Sequence, residues 1–194
     1  MSSFLNAEEV ASLGLASVGR EVRISRHASL HNPGNIRLGD HVRIDDFCVL
    51  SAGLGGIEIG RNVHLAVYSC LIGKGKITLG DFANISSRVA IYSSNDDYGG
   101  AFMTGPTLPA EFTNISFAPV SVGRHAIIGS GSVVLPGVTI GEGAAIGALS
   151  LLRSDCQAFG IYAGAPARKI KERQRGLLAL EQIYLEQQAT FGQP

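Results

Sequence analysis

A pair formed by an apolar residue and a following glycine recurs along the chain at nearly regular intervals. The copies are Val18-Gly19, Leu38-Gly39, Ile59-Gly60, Leu79-Gly80, Val122-Gly123 and Ile140-Gly141, with further ones at Ile128-Gly129 and Ile146-Gly147. The first six are separated by 20, 21, 20, 43 and 18 residues, which is three six-residue units per step, in places slightly longer, with one large insertion. Such a fixed period predicts a solenoid, and a six-residue period is typical of a parallel β-helix.

The glycines exclude the main alternative, a bundle of amphipathic helices. Those helices need apolar residues at steps of three and four, and glycine inside them is destabilising. The six-residue rhythm holds from about Val18 to Gly160, and we expect the first residue of each unit to point inward. Glycine, aspartate and asparagine after that residue suit tight corners at which the backbone needs a positive φ.

The composition limits the partners that this chain can have. Its 194 residues suffice for one domain with appendages. Hydrophobic residues make up 45% of the chain and aromatic residues only 7%, which suits thin coils with little room for rings. Sixteen basic and sixteen acidic side chains cancel, so we expect neither nucleic acid nor an anionic membrane as a partner.

The spacing of the cysteines and the lack of long apolar runs indicate the cellular compartment of the protein. Cys48, Cys70 and Cys156 lack the spacing of a metal-binding motif, and we expect reduced, packed thiols. No apolar run approaches the roughly 18 residues of a membrane span, and the first residues do not resemble a signal peptide. The sequence therefore predicts a cytoplasmic protein without membrane insertion.

Three parts are expected along the chain. Residues 1–17 form an N-terminal cap helix that begins after Asn6, and residues 18–165 form the β-helix domain. Residues 93–119 are a loop inserted into that domain, and residues 166–194 form a C-terminal helix. The large apolar residues of the loop are Phe102, Met103, Leu108, Phe112 and Phe117. A disordered tether would not carry them, so we expect the loop to project from the coils and pack on a neighbour.

Two segments near the end of the solenoid identify a family. Together with the repeats and the loop, the runs Ile140-Gly-Glu-Gly-Ala-Ala-Ile-Gly-Ala148 and Ala163-Gly-Ala-Pro-Ala-Arg168 resemble the hexapeptide-repeat acyltransferases over almost the whole chain. This resemblance implies an all-β fold, a left-handed parallel β-helix. It also implies a homotrimer that binds acetyl-CoA or another short acyl-CoA between neighbouring solenoids, with active sites between subunits.

Further motifs are similar to those of the N-acyltransferase of dTDP-anthrose synthesis and its relatives. They are Asn32-Pro-Gly, Val42-Arg-Ile-Asp-Asp-Phe-Cys48, Asp81-Phe-Ala-Asn-Ile-Ser-Ser-Arg88, Asp96-Asp97, Gly105-Pro-Thr-Leu-Pro109 and Ala163-Gly-Ala-Pro-Ala-Arg-Lys-Ile170. This resemblance implies transfer of a short acyl group from coenzyme A to the amine of an amino-dideoxy sugar carried on dTDP or UDP. The product would serve the synthesis of a surface polysaccharide such as O-antigen.

The start of the loop lacks a histidine that some relatives use. In the galactoside and maltose O-acetyltransferases of the family, a loop histidine deprotonates the acceptor hydroxyl, whereas residues 92–98 here read Tyr-Ser-Ser-Asn-Asp-Asp-Tyr. An amine has a usable lone pair once it has lost a proton, and so it depends less on such a base. We therefore expect an amine acceptor, with Asp96 as the catalytic carboxylate. The resemblance also implies that Ser86 presents its hydroxyl to the amine.

Both of these catalytic candidates have a structural alternative. Asp96 lies in an Asn-Asp-Asp run that could form an Asx turn by itself, which would use its carboxylate for the loop. Ser86 could be a corner serine whose hydroxyl satisfies the backbone.

Other residues are expected to contact the acceptor or coenzyme A. His64 and Asn84 each lie five positions after a ladder residue, so they should stack on one face of successive coils, and Asp97 and Tyr98 are assigned to the acceptor with Asp96. The family positions and the basic side chains nearby assign coenzyme A contacts to Gly129, Ser130, Gly147, Ala148, Arg153, Ser154, Arg168 and Lys169. Arg153 and Ser154 replace the Thr-Lys that many relatives carry.

Several alternatives stay open. An O-acetyltransferase would use a hydroxyl acceptor with His64 as its base, and a non-catalytic solenoid would only bind or assemble partners. A zinc site would need three converging histidines, and His27 with His31 has no third partner at a matching position, so no metal is expected. We expect His41 and His125, at outward corner positions, to be solvated.

Overall fold

The chain winds as a solenoid in which each coil contributes one short strand to each of three sheets. The computed structural model describes residues 3–191, and for residues 189–191 only the backbone. Six coils have all three strands, and a partial seventh follows them. The all-β solenoid predicted from the six-residue period is confirmed.

The elements follow one another in regular order. They are α1 (Ala7–Ser12), β1 (Ser17–Val18), β2 (Arg23–Ile24), β3 (Ser29–His31), β4 (Ile36–Leu38), β5 (Arg43–Ile44), β6 (Val49–Ala52), β7 (Ile57–Ile59), β8 (His64–Leu65), β9 (Cys70–Gly73), β10 (Ile77–Leu79), β11 (Asn84–Ile85), β12 (Ala90–Tyr92), β13 (Ser94–Asn95), β14 (Ser116–Phe117), β15 (Val120–Val122), β16 (Ile127–Ile128), β17 (Val133–Val134), β18 (Thr139–Ile140), β19 (Ala145–Ile146), β20 (Leu151–Leu152), β21 (Gly160–Gly164), β22 (Ala167–Glu172) and α2 (Gly176–Phe191).

Three sheets form the sides of the solenoid. Sheet 1 contains β1, β4, β7, β10, β15 and β18, and sheet 3 contains β3, β6, β9, β12, β17 and β20. Sheet 2 contains β2, β5, β8, β11, β16, β19, β21 and β22. Strands of successive coils pair in parallel, as Leu38 with Ile59 and Ile59 with Leu79. In each coil the first corner joins sheet 1 to sheet 2, the second joins sheet 2 to sheet 3, and the third returns to sheet 1.

The ladder residues face the interior, as the sequence predicts. Ile59, Leu79 and Val122 are buried, whereas Val18 is 40% exposed because β1 lies at the open edge of sheet 1. Each fully buried aliphatic side chain stabilises the fold by about 1.5–3 kcal/mol. The interior is therefore a continuous apolar column along the solenoid.

The ladder glycines are needed for close approach, and the expectation that they adopt a positive φ is wrong. A Cβ on Gly39 would lie 2.7 Å from the carbonyl carbon of Gly60, and one on Gly60 would lie 2.8 Å from the amide nitrogen of Asp81. Positive φ occurs two positions after the glycine, at His41 (56°) and Asn62 (56°). The reason is that the glycine Cα faces the next coil, which is only about 4.8 Å away.

Helix α1 closes the N-terminal end. The Asn6 side chain accepts a hydrogen bond from the Glu9 amide at 2.9 Å, and the Glu9 carboxylate accepts one from the Asn6 amide at 2.8 Å. Arg26 in the first coil donates to the same carboxylate at 2.7 Å. The cap expected over residues 1–17 is thus a six-residue helix tied to coil 1, and residues 1 and 2 lie outside the described residues.

The inserted loop leaves the third corner of the fourth coil. At its base β13 and β14 pair antiparallel, with Ser94 opposite Phe117. The buried Ser93 hydroxyl donates to the carbonyl of Gly75 at 2.8 Å and fixes the point of departure. Large apolar side chains of the loop are exposed, among them Phe102 and Phe112. The base of the loop is therefore anchored, while its apolar surface is open.

The segment expected as a C-terminal helix over residues 166–194 is partly a strand. β22 runs antiparallel to β21, with Ala163 opposite Arg168, and α2 begins only at Gly176. β21 would otherwise end the parallel part of sheet 2 with unpaired backbone groups, and β22 covers that edge. Residues 192–194 lie outside the described residues. Neither helix within residues 3–191 has the length and apolar character that crossing a bilayer requires.

Candidate active site

Small residues form a column at the second corner, where coenzyme A contacts are expected. The Ser86 amide donates to the Ile128 carbonyl at 3.0 Å, and the Gly129 amide donates to the Ile146 carbonyl at 2.8 Å. Ser86, Gly129 and Gly147 therefore stack on successive coils. A Cβ on Gly129 would lie 2.5 Å from the Ala148 amide nitrogen. This position therefore cannot carry a side chain, and the surface of the column has no projecting group there.

The Ser86 hydroxyl has no partner within residues 3–191, unlike the hydroxyls of the buried Ser69 and Ser132 at this corner. The buried Ser69 hydroxyl donates to the Ser86 carbonyl at 2.9 Å and accepts from the Val89 amide. The buried Ser132 hydroxyl donates in the same way to the Gly147 carbonyl at 3.1 Å. Ser69 and Ser132 perform the backbone role considered as an alternative for Ser86, which leaves the Ser86 hydroxyl available to a ligand.

Two backbone N–H groups at this corner are also available. The amides of Ser130 and Ala148 donate to no acceptor in the described part of the chain, whereas the amides of Ser86, Gly129 and Gly147 are used between coils. Both residues are exposed. A backbone N–H that points outward can receive a developing oxyanion or a pantetheine carbonyl.

His64 and Asn84 lie side by side on sheet 2, as expected from their spacing. The His64 Nε2 lies 2.8 Å from Asp45 Oδ2, and Asp45 Oδ1 accepts from Arg43 Nε at 2.7 Å. Burial raises the pKa of the Asp45 carboxyl, but the hydrogen bonds from His64 and Arg43 outweigh burial, and the net pKa lies below its ordinary value. An ionised Asp45 holds Nε2 as the donor, which leaves Nδ1 as the acceptor nitrogen of the neutral ring.

Sequence reasoning missed Asp45. Its signal is its position, because Asp45 follows the inward residue Ile44 at the second corner of the coil before His64. A polar residue directly after an inward residue lies next to the sheet 2 residue of the following coil.

The two loop aspartates differ in their surroundings. Asp97 Oδ1 accepts from the Gly99 amide at 2.8 Å, and Oδ2 accepts from the Phe102 amide at 2.7 Å. The hydrogen bonds from Phe102 and Gly99 lower the pKa of the Asp97 carboxyl. Its carboxylate therefore orders the loop, and its contact with the acceptor stays a prediction. Asp96 is exposed and pairs with no group of residues 3–191, so the Asx turn belongs to Asp97 and the Asp96 carboxylate is available.

The remaining expected contacts lie in three places. Tyr98 is exposed in the loop. Arg168 lies in β22 opposite Ala163, which adjoins Gly147, so Arg168 is one strand from the small column. Lys169 is held by Gln157 at 2.9 Å and by Glu172.

Arg153 and Ser154 do not lie next to the column of small residues at the second corner. They follow β20 and lie at the third corner, whereas Gly129 and Gly147 lie at the second. The chain turns through the whole width of sheet 3 between the two corners. Within one protomer the structure separates these two residues from the other coenzyme A positions.

The first corner holds a buried cluster that the sequence did not indicate. The Glu181 carboxylate, on α2 and 8% exposed, pairs with Arg124 and lies 2.8 Å from His125 Nε2. The His125 side chain is only 10% exposed and stacks on Phe82, so the expectation that it is solvated is wrong. Helix α2 covers it, and no repeat pattern shows where a helix outside the repeat will dock.

Two cavities of the solenoid lie away from the candidate catalytic groups. One of about 490 Å³ lies beneath the loop base and is lined by Asn32, Asn35 and Lys74 among others, and one of about 320 Å³ lies between α2 and the first corner. Neither includes Ser86, Asp96 or His64. No cluster of three or more metal-ligating side chains occurs within residues 3–191.

Comparison with known proteins gives close matches. The sequence pattern described as "Bacterial transferase hexapeptide (six repeats)" matches residues 119–154. A dTDP-4-amino-4,6-dideoxy-D-glucose acyltransferase from Escherichia coli is 53% identical over 182 residues, which are 94% of this chain and 95% of that protein.

Solved structures match over the same extent. AntD, an N-acyltransferase from Bacillus cereus in complex with dTDP and 3-hydroxybutyryl-CoA, superposes with a TM-score of 0.92 at 43% identity, covering 97% of this chain and 100% of that one. A variant of AntD with a serine replaced by cysteine was solved in complex with dTDP-4-amino-4,6-dideoxyglucose and coenzyme A. It superposes with a TM-score of 0.91 at 43% identity, covering 96% of this chain and 99% of that one. A maltose O-acetyltransferase from Clostridium difficile 630, 21% identical over 87% of this chain and 75% of that one, shares the fold at a TM-score of 0.59. The β-helix fold expected from the resemblance is thereby confirmed.

Proposed function

The chain belongs to the hexapeptide-repeat acyltransferases, and from that premise we propose that it transfers a short acyl group from acyl-CoA to the amine of a dTDP-linked 4-amino-4,6-dideoxy sugar. The near full-length match to an acyltransferase of that sugar carries this proposal. The unpartnered Ser86 hydroxyl, the Asp96 carboxylate and the outward amides of Ser130 and Ala148 supply groups suited to such a transfer.

The reaction is a single displacement. The amine nitrogen attacks the thioester carbonyl carbon, a C–N bond forms, and the C–S bond breaks as coenzyme A leaves as its thiolate. Asp96 accepts the proton that the amine loses, and that proton then passes to the thiolate. The Ser86 hydroxyl accepts a hydrogen bond from the amine, which keeps the lone pair of the amine nitrogen directed at the thioester carbonyl carbon.

The acyl-CoA arm lies along the small column of the second corner. Gly129 and Gly147 let the pantetheine approach the coils, and the Ser130 or Ala148 amide stabilises the thioester oxygen as it becomes negative. Arg168, exposed on β22 beyond this column, suits the phosphates at the far end of coenzyme A.

The complete site forms between subunits of a homotrimer. Ser86 lies at the second corner, whereas Asp96 lies in the loop that departs from the third corner. A neighbouring copy can bring its loop to this corner, and contact with that copy would also cover the exposed Phe102, Met103 and Phe112. Arg153 and Ser154 at the third corner then reach coenzyme A held on the neighbour.

The product and the compartment belong to the same proposal. An acylated nucleotide sugar is an activated donor, so we assign it to surface polysaccharide synthesis. Cys48, Cys70 and Cys156 are free, and burial raises the pKa of Cys48 and of Cys156 to about 11, which keeps these thiols protonated. Free, unreactive thiols support a reducing, cytoplasmic location.

Purified protein tests the reaction directly. With dTDP-4-amino-4,6-dideoxyglucose and a panel of acyl-CoAs, we expect release of free thiol and a dTDP-sugar whose mass has increased by the acyl group. A dTDP-sugar with a hydroxyl in place of the amine is the control and should give no product. Equal product with the hydroxyl compound would contradict the proposal.

Mixing two impaired variants tests the shared site. In trimers reassembled from equal amounts of Ser86→Ala and Asp96→Ala, random mixing gives each interface both intact residues about a quarter of the time. We expect about a quarter of the wild-type activity if the site is shared. If both residues come from one chain, we expect only about a twentieth, the mean of the two variants measured alone. Sedimentation analysis of each variant alone checks that the trimer is retained.

One observation favours a second role for His64. Its pairing with Asp45 through Nε2 is the arrangement that orients a general base. An O-acetyltransferase would depend on this base and lose nearly all activity in His64→Ala. The N-acyltransferase proposed here would keep most of it, because Asp96 accepts the proton.

A further inference from the structure

Exposed side chains at the second corner form a stack. Phe47 and Tyr68 lie on successive coils with ring centroids 5.0 Å apart and planes 15° apart. The guanidinium of Arg88 lies over the Tyr68 ring, 5.6 Å from its centroid, and His27 stacks on the other side of Phe47 at 5.4 Å. We call Phe47, Tyr68 and Arg88 the corner stack.

The corner stack occupies backbone positions that disfavour such side chains. Phe47, Tyr68 and Arg88 have φ of 60°, 62° and 59°. A left-handed conformation costs a residue with a Cβ roughly 1–2 kcal/mol, and bulky residues are uncommon there. Folding alone would favour glycine or asparagine at these corners.

Rings at the equivalent positions of the first corner are covered, and those of the corner stack are not. Phe82 has φ of 60° and stacks on His125 beside Tyr184 of α2, so its ring serves packing. Phe47 is 47% exposed and Tyr68 51% exposed. An exposed aromatic column at a strained backbone position points to a ligand.

The positive charge of Arg88 is not neutralised by an acidic side chain of the described residues. No acidic side chain of residues 3–191 pairs with it, whereas Arg20 and Arg61 at the first corner pair with Asp40 and Asp81. The guanidinium lies over the Tyr68 ring and its N–H groups have no hydrogen-bond acceptor within residues 3–191, which suits a bidentate contact with phosphate oxygens.

The position of the stack relative to the reaction centre indicates what it binds. Towards the C-terminus from Ser86, the corner carries Gly129 and Gly147, the smooth column assigned to the acyl-CoA arm. The rest of the acceptor must therefore extend the other way, towards coils 3 and 2. With coils about 4.8 Å apart, Tyr68 lies about 5 Å and Phe47 about 10 Å along the axis from Ser86.

We propose that the corner stack binds the nucleoside diphosphate end of the acceptor, with Arg88 contacting the diphosphate and the rings of Tyr68 and Phe47 contacting the base. This inference rests on the proposed function, because it takes the acceptor to be a nucleotide-linked sugar. It makes Arg88, two residues from Ser86, the residue that sets the distance between the diphosphate and the sugar amine.

Calorimetric titration of the full-length protein with dTDP, UDP and coenzyme A tests the inference. We expect Arg88→Gln to weaken dTDP binding at least tenfold. Arg88→Lys should weaken it less, since lysine keeps the charge but lacks the paired N–H donors of a bidentate contact. We expect Tyr68→Asn to weaken dTDP binding at least fivefold, because base stacking is lost while asparagine tolerates the positive φ. Coenzyme A binding should stay within twofold in all three variants.

Matched controls separate binding from folding. Phe82→Asn removes a ring at the same type of backbone position on the first corner, and Arg37→Gln removes a positive charge from the exposed face of sheet 1. Both should keep the dissociation constant for dTDP within twofold, even if Phe82→Asn lowers the melting temperature. Unchanged dTDP affinity in Arg88→Gln and Tyr68→Asn would overturn this inference alone. A wild-type protein that binds neither nucleotide nor coenzyme A would overturn the proposed function as well.

Discussion

The first and second corners of the solenoid are built on the same repeat but use their charged and polar side chains in opposite ways. At the first corner the residue after the ladder glycine alternates in charge from coil to coil, through Arg20, Asp40, Arg61, Asp81, Arg124 and Glu142. The pairs Arg20–Asp40 and Arg61–Asp81 lie at 2.9 and 2.8 Å. This corner is a row of ion pairs, and α2 adds to it the pair of Glu181 with Arg124.

The second corner pairs Asp45 with Arg43 and His64, but it leaves the side chains around Ser86 unpaired. The Ser86 hydroxyl, the Asn84 side-chain amide and the Arg88 guanidinium have no hydrogen-bonding partner within residues 3–191. Both corners reach solvent, so the difference does not follow from burial alone. In a repeat fold, a paired side chain serves the scaffold, whereas an unpaired one next to a smooth column is available to a ligand.

The largest expected effect is a loss of kcat on substitution of Asp96, whose side chain is unpaired, unlike the ion-paired side chains of the first corner. Replacing Asp96 with Asn removes the proton acceptor, and we expect kcat to fall about a thousandfold. Because the Asp96 side chain makes no hydrogen bond or ion pair within the described chain, the melting temperature should stay within about one degree. Steady-state kinetics and thermal unfolding measure the two quantities, and Asp97→Asn, which loosens the loop, is the matched comparison.

The reverse pattern is expected at the first corner. Glu181→Ala leaves Arg124 and the buried His125 without their carboxylate, and we expect a loss of about 3 kcal/mol in unfolding free energy. The kcat should change less than twofold because α2 lies away from the proposed site. Denaturant unfolding measures the loss. A large drop in kcat with unchanged stability would break the distinction between the two corners.

Two serines of the same corner allow a sharper comparison. Ser69→Ala removes a buried hydroxyl that bonds to two backbone groups of the next coil, so we expect about 2 kcal/mol lower stability and nearly normal kcat. Ser86→Ala should do the opposite, with about tenfold lower kcat and unchanged stability. Each variant is the control for the other. Equal effects of the two on stability would show that Ser86 is a scaffold residue.

The smallest expected effect is a dependence on pH. Burial raises the pKa of Glu181, but hydrogen bonds and charge interactions with His125 and Arg124 outweigh burial and lower it below its ordinary value. The ionised form therefore stabilises the fold above about pH 4.3, and this contribution is lost as the pH falls through the lowered pKa. The melting temperatures of the wild type and Glu181→Gln should differ at pH 6 and converge by a few degrees towards pH 3. A constant difference would contradict this assignment.

The repeat made the interior predictable because each inward position recurs in every coil. Spacing alone placed His64 beside Asn84, since a residue five positions after a ladder residue always lies on sheet 2. The same reasoning did not reveal Asp45 beside His64 or Glu181 beside His125. The first of these contacts joins two different columns of the repeat, and the second joins the repeat to a helix outside it.

Residue type alone also misjudged some backbone roles. Gly39 and Gly60 are required by the closeness of the next coil, and the positive φ falls on His41 and Asn62, which the sequence did not mark. The segment 167–172 is a strand because it covers the edge of sheet 2, a demand that arises only once the sheet exists. Local sequence does not contain the location of that edge.

By itself the sequence determined the solenoid, the inward ladder, the inserted loop and the membership of an acyltransferase family. Those properties follow from a period and from motifs, and each is set by residues that repeat or lie close together in the chain. Only the tertiary structure decided which polar groups are paired and which are open, since pairing joins residues one coil or more apart. It left the side chains of Ser86 and Asp96 without partners, used the Asp97 carboxylate within its own loop, and docked α2 so that its Glu181 pairs with the buried His125.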